Sequence, residues 1–152
     1  MRCVVQRVTT AKVTVEGRVT GEIGLGLMVL VGVAEGDTGK DMDYCLKKVA
    51  GLRIFADGEG KMNLSVSDVQ GGILAVSQFT LLGDVRHGKR PSFIEAARPE
   101  EANPMYESMA KAWREMGIPV ETGVFGAHME VSLVNDGPVT ILIDSKEASL
   151  RA

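Results

Sequence analysis

The sequence has little with which to staple, chelate or coat itself in positive charge. Cysteine occurs twice, at Cys3 and Cys45, so no disulfide framework is implied. Both fall in apolar surroundings, and two reduced core thiols are expected. Histidine also occurs twice, at His87 and His128, and neither stands at metal-ligand spacing from a cysteine or another histidine; no metal site is expected. No apolar run approaches the length of a membrane span, and no membrane partner is expected. Met1-Arg2-Cys3-Val4-Val5 meets Gln6 and Arg7 too soon for a signal peptide, so no export is expected and a cytoplasmic location is. A net charge of −3 argues against a surface covered in phosphate-binding groups.

Absent motifs exclude further chemistry. There is no G-x-S-x-G nucleophile elbow and no G-x-x-x-x-G-K-[ST] phosphate loop. Gly21, Gly24 and Gly26 miss the dinucleotide-binding spacing and precede a strand where that motif needs a helix. No cofactor is implied.

What is present is an ordinary globular balance, with 24% charged and 45% hydrophobic residues over 152 positions. That length suits one domain, 1–152. Val13-Thr14-Val15, Glu16-Gly17-Arg18 and then Val19 read as a hairpin. Leu25 to Val33 is a continuous apolar run suited to a central strand. Asp37 is placed to cap a helix whose apolar face is Met42, Cys45, Leu46 and Val49, ending at Gly51. Leu52–Phe55 reads as a short strand, Asp57–Gly60 as a turn and Ile73–Phe79 as another strand. A polar loop from Leu82 to Pro91 leads to a short helical piece, Ser92–Ala97. Pro99 opens a longer helix with a stripe of Met105, Met109, Ala112 and Met116, flanked by Tyr106, Ala110 and Trp113 and stopped by Gly117 and Pro119. Strands are expected at Val120–Thr122, Met129–Val134 and Val139–Ile143, with a frayed tail after Asp144. The order predicts a mixed α/β (α+β) fold: a single compact domain with a curved, mostly antiparallel sheet or barrel and packed helices.

Three segments stand out chemically. Ser77-Gln78-Phe79-Thr80-Leu81 puts hydroxyls and an amide at a strand end, where they serve either a ligand or the local backbone. Asn135-Asp136-Gly137-Pro138-Val139-Thr140 is a turn in which the Gly-Pro bond costs little to be cis. A trans hairpin turn is the commoner outcome, since only about 5–6% of X-Pro bonds are cis. Arg86, Lys89, Arg90 and Arg98, with His87, form a local basic patch opposed in that stretch by Glu95 alone; by composition it suits either a solvated loop or a polyanion.

Taken together, Ser77–Leu81 and Asn135–Thr140 resemble the two signature motifs of the D-aminoacyl-tRNA deacylase family. Met1–Val8, Gly60–Ser65, Lys89–Phe93 and Gly123–Met129 are similar to it as well, and the likeness runs from about Met1 to Asp144. It departs at His128, where the family often carries an acidic residue. The resemblance implies a homodimer that hydrolyses D-aminoacyl-tRNA, with the Gly137-Pro138 turn of one subunit entering the pocket of the other. If that turn rejects L side chains by steric conflict, glycine has nothing to reject, and glycyl-tRNA is expected as a second substrate. The resemblance implies catalytic roles for Thr80, Gly137 and Pro138, and substrate contacts from Ser77, Gln78 and Phe79. Arg7 is expected either to support the turn at the substrate or to be a strand-edge surface charge, and Phe125 and Met129 either to wall the substrate pocket or to be plain core residues. Arg86, Lys89 and Arg90 would meet tRNA phosphates. Two rival functions are an editing domain that removes a wrong L-amino acid and a non-catalytic dimeric RNA-binding protein.

Overall fold

The computed structural model describes residues 1–150. Its main sheet is organised around one long strand, β1 (Arg2–Val15). A turn at Glu16-Gly17, both with positive φ, returns the chain into β2 (Arg18–Ile23), the geometry that favours tight hairpins. β3 (Gly26–Gly32) lies antiparallel to the first half of β1. The order is then β2-β1-β3-β6-β7, with β6 (Gly72–Ser77) and β7 (Val120–Thr122) added in parallel. β8 (Glu130–Asp144) runs antiparallel along the free side of β1. At Gly21 an added Cβ would lie 2.5 Å from the Thr122 carbonyl oxygen, so β2 approaches β7 closely and the sheet is nearly a closed barrel.

Alternation along the strands separates two cores. Leu27, Val29 and Val31 of β3 and Ile73 and Ala75 of β6 face the helices; Met28 and Leu74 face the barrel interior with Val8, Ala11 and Val13. β1 changes parity on the way, from Val8 to Ala11, where its pairing with β8 shifts register.

Helix α1 (Gly39–Gly51) covers the first core with Cys45, Leu46 and Val49. Its cap is Thr38, which forms a capping box with Asp41, and not Asp37. Asp37 is taken up elsewhere: it pairs with the Met1 ammonium at 2.8 Å and accepts from the Ala34 N–H. Helix α2 (Pro99–Glu115) opens with proline in its first turn, as expected. Its buried face is Ala102, Tyr106, Met109, Ala110 and Trp113, rotated from the anticipated methionine stripe; Met116 is exposed. Polar handles explain the rotation: Trp113 donates to the Leu46 carbonyl at 2.9 Å, and Tyr106 donates to the Ala75 carbonyl at 2.6 Å. Cys3 and Cys45 are free and buried.

Several local expectations are corrected. The strand expected at Leu52–Phe55 is β4 (Phe55–Ala56), paired with β5 (Met62–Leu64). The strand expected to reach Phe79 ends at Ser77, and Phe79–Leu82 forms a 3-10 turn. Ser92–Ala97 is not helical, because its backbone is committed to bridges Asp84–Ser92 and Ala34–Ala96. The two late strands are one, β8, interrupted by a bulge: Gln6 pairs with Thr140 but Val8 with Asn135, so residues 136–139 loop out opposite Arg7. The tail is helical over α3 (Ser145–Leu150), with the Ser145 hydroxyl bonded to the Met1 ammonium at 2.9 Å. Among the described residues, no helix is long and apolar enough to cross a membrane.

Candidate active site

The parallel pairing of β3 and β6 delivers the Ser77 segment to the open end of the barrel. Gln78 remains anchored, its N–H donating to the Val31 carbonyl at 2.8 Å. The chain then turns sharply through Phe79–Leu82, held from β1 by Arg2, which donates to the Leu81 carbonyl at 2.9 Å. Gly32 makes the turn possible: a Cβ there would sit 2.7 Å from Leu82 Cδ2 and 3.1 Å from the Gln78 carbonyl oxygen.

This turn lines a cavity of about 820 Å³. Ser77, Gln78, Phe79 and Thr80 occupy one wall, and Phe125, His128 and Met129 lie on another. The floor is the inward row Met28, Leu30 and Val76 with Leu133. A largely apolar chamber with a few polar groups at one rim is the usual form of a small-molecule site.

The Thr80 hydroxyl oxygen accepts from Gln78 Nε2 at 2.9 Å, and no acid or base is bonded to it. Gln78 therefore does not cap the turn with its side chain. The first N–H groups of the turn, those of Phe79 and Thr80, have no intrahelical acceptor. Among the described residues, no group of three or more His, Cys, Asp or Glu gathers as metal ligands.

The bulge of β8 forms a second, separate constellation. Asn135 cinches it, accepting from the Val139 N–H at 2.7 Å and donating to the Val139 carbonyl at 3.2 Å. Arg7 braces it from β1, donating to the Asp136 carbonyl at 2.9 Å and to the Ile54 carbonyl at 2.6 Å. The Gly137-Pro138 peptide is cis, and Gly137 has φ 143°, with Arg7 and Val139 crowding its α-carbon. Asp136, Gly137 and Pro138 are exposed.

The structure thus brings Ser77, Gln78, Phe79, Thr80, Phe125 and Met129 to one cavity, and joins Arg7, Gly137 and Pro138 in another place on the same chain. Gly137 and Pro138 are not among that cavity's lining residues. The basic loop lies beside the cavity: Asp84 and Ser92 pair at its base, and the next residue, Phe93, lines the chamber. Arg86 is paired with Asp84 at 2.7 Å, a carboxylate just outside the stretch weighed from sequence. The guanidinium holds that carboxyl down at about 2. The places of Phe93 and His128 on the cavity wall were not legible, because each depends on tertiary packing with no local pattern; the Asn135 clasp is local, four residues to Val139, but the cis turn it closes is what makes it possible.

A family model described as D-Tyr-tRNA(Tyr) deacylase matches residues 4–144. The chain belongs to that family. A D-aminoacyl-tRNA deacylase of Desulfitobacterium hafniense (strain DSM 10664 / DCB-2) is 62% identical over 147 residues, 97% of this chain and 99% of the relative. A protein of the same description from Thermotoga petrophila is 58% identical, covering 97% of this chain and 99% of the relative. Among solved structures, one titled c-Myc DNA Unwinding Element Binding Protein superposes with a TM-score of 0.90 at 44% identity, covering 95% of this chain and 98% of that one. A probable eukaryotic D-amino acid tRNA deacylase shares the fold at a TM-score of 0.76 and 18% identity, covering 94% of this chain and 98% of that one.

Proposed function

We propose that this chain hydrolyses the ester joining a D-amino acid to the terminal ribose of tRNA, releasing the free D-amino acid and tRNA. Family membership across nearly the whole chain supports the reaction class. The observation that carries the site assignment is the Ser77–Thr80 turn at the rim of an otherwise apolar cavity.

In the step, a water oxygen attacks the ester carbonyl carbon. The carbonyl oxygen becomes an oxyanion that accepts from the N–H groups of Phe79 and Thr80. The ribose oxygen then leaves, taking up the proton that the water gives up. Thr80 positions the ester and is not the nucleophile, because no base is bonded to its hydroxyl. Preformed backbone donors need no reorganisation as charge develops, which is why such donors contribute strongly to acyl transfer. Phe125 and Met129 wall the chamber around the terminal nucleoside.

Handedness is assigned to Gly137 and Pro138. Their carbonyls, on a bulge held by Arg7 and Asn135, would flank the α-carbon of a substrate in the cavity of a second copy, making the working form a homodimer. An L side chain would meet those oxygens, while a D side chain would point away, so rejection works by steric conflict. Glycine offers no side chain to reject, which makes glycyl-tRNA a second substrate. Lys89 and Arg90, with Arg86, meet the phosphates of the acceptor end, in a cytoplasmic setting where tRNA is charged.

The test is to mix the protein with D-tyrosyl-tRNA and follow release of D-tyrosine. Release is expected from the native chain and its abolition from Ala96→Trp, which fills the cavity. Undiminished release from a folded Ala96→Trp protein would place the chemistry elsewhere.

A further inference from the structure

Beside the cavity stands a feature of which the proposed reaction uses only the cations. The chain from Asp84 to Ser92 forms a finger closed at its base by two backbone hydrogen bonds, Asp84 N–H to the Ser92 carbonyl at 2.8 Å and the reverse at 2.9 Å. Its tip carries Arg86, His87, Lys89 and Arg90, all exposed. At its base lies an uncovered apolar ledge: Ile94 is 87% exposed, Val85 61% and Phe79 55%. The ledge is firmly seated. Phe93 packs edge-on against Phe79 with ring centroids 5.0 Å apart, and its ring lies over Gly83, where a Cβ would come within 3.1 Å. Phe79 and Phe93 also line the cavity, so the ledge adjoins the chamber on that side.

The charges of the finger are not equivalent. Asp84 takes both Arg86 Nε and Arg86 Nη2, at 2.9 and 2.7 Å, so Arg86 stiffens the finger and has less charge to offer a phosphate than Lys89 or Arg90. Among the described residues, no carboxylate is paired with Lys89 or Arg90. Exposed apolar faces interleaved with free cations suit a single-stranded polynucleotide, which needs a surface for each base and a cation for each phosphate.

We propose that Val85, Phe93 and Ile94, with Lys89 and Arg90, form a binding ledge for the unpaired nucleotides that precede the terminal adenosine of the tRNA 3′ end. This rests on the deacylase reading, since the terminal nucleoside must sit in the adjoining cavity for its neighbours to reach the ledge. Contact of this kind is indifferent to the acceptor-stem sequence and grips the substrate outside the reacting centre.

The experiment compares D-tyrosyl esters of adenosine alone and of the CCA trinucleotide. With the native protein, the trinucleotide ester should show about tenfold higher kcat/KM, carried by KM. In Val85→Ser/Ile94→Ser that advantage should vanish while turnover of the adenosine ester is unchanged. Lys89→Glu/Arg90→Glu should weaken the advantage and flatten its salt dependence. Equal kcat/KM for the two esters in the native protein would overturn the ledge, as would an equal loss on both esters in the serine variant. A change of oligomeric state in that variant on gel filtration would overturn it too, showing the patch to be a contact between copies. If neither ester is cleaved, the deacylase reading fails separately. Fluorescence anisotropy with labelled, uncharged CCA then decides the ledge, which requires binding by the native protein and at least tenfold weaker binding by the serine variant.

Discussion

Replacing Arg7 should loosen the Gly137-Pro138 bulge while leaving the cavity rim intact. The guanidinium ties three places together: β1, the Asp136 carbonyl at 2.9 Å and the Ile54 carbonyl at 2.6 Å. A hydrogen bond from a charged group contributes about 1.5–3 kcal/mol. The Asp136 carboxylate adds little, being 3.5 Å away and 48% exposed, where ion pairs contribute about 0–1 kcal/mol. Water can replace part of the exposed bond to Asp136 but less of the half-buried one to Ile54. Arg7→Ala should therefore cost about 2–4 kcal/mol, lowering Tm by roughly 5–15 °C. Arg7→Lys keeps the charge but cannot reproduce the fork, so it should recover only a fraction. Function should change in a particular way. Ser77–Thr80 is not bonded to Arg7, so hydrolysis of D-tyrosyl-tRNA should persist below the new Tm. The D-to-L ratio of kcat/KM should fall, and a tenfold fall corresponds to about 1.4 kcal/mol of lost discrimination. The assay is deacylation of matched D- and L-tyrosyl-tRNA alongside thermal melting. An unchanged Tm with an unchanged ratio would refute the bracing role.

Four further outcomes are expected. Thr80→Ala should retain deacylation within about tenfold of the native rate; a loss of many orders of magnitude in single-turnover assays, with folding intact, would make Thr80 the nucleophile. Gly32→Val should lower stability by about 1–3 kcal/mol in urea titrations, because its side chain must displace Leu82 and the Phe79–Leu82 turn. Burial pushes the Tyr106 hydroxyl up to about 12 from 10.0, so its stabilising contribution is full below pH 10 and lost as pH rises through about 12. Alkaline melting curves should show that loss in the native protein and not in Tyr106→Phe. Lys89→Glu/Arg90→Glu should raise KM for full-length substrate more than it lowers kcat, with a shallower dependence on salt; an unchanged salt slope would remove these residues from the tRNA contact.

Elements with strong local signals were readable from sequence. The Glu16-Gly17 hairpin, the apolar β3 run and the proline-opened α2 each carry their own cause. Ambiguity entered where two residues satisfy one local rule. Asp37 and Thr38 are both good caps, and the Met1 ammonium, brought from 36 positions away, joins the Ala34 N–H in occupying the Asp37 carboxylate. The α2 sequence does not fix its buried face, because methionine, alanine and tryptophan suit either of two neighbouring faces. Trp113 settles the face through a bond to Leu46, 67 positions away. Residues 135–140 read as a turn because local chemistry cannot distinguish a hairpin from a bulge in a strand that resumes its old partner. For the site, the family resemblance supplied Ser77–Leu81 and Gly137-Pro138. Their separation on one chain followed from the resemblance alone, which places the turn of one subunit in the pocket of the other, and no local pattern carries it; the apolar floor was not legible at all, since Met28 and Leu30 look like any core residues in a strand.

The most direct measurement is a side-by-side deacylation of D-tyrosyl-tRNA and L-tyrosyl-tRNA at equal protein concentration. Release of D-tyrosine with the L-ester left at its spontaneous rate is expected. Equal cleavage of both, or cleavage of neither, would contradict a chirally selective deacylase built on the Ser77–Thr80 turn.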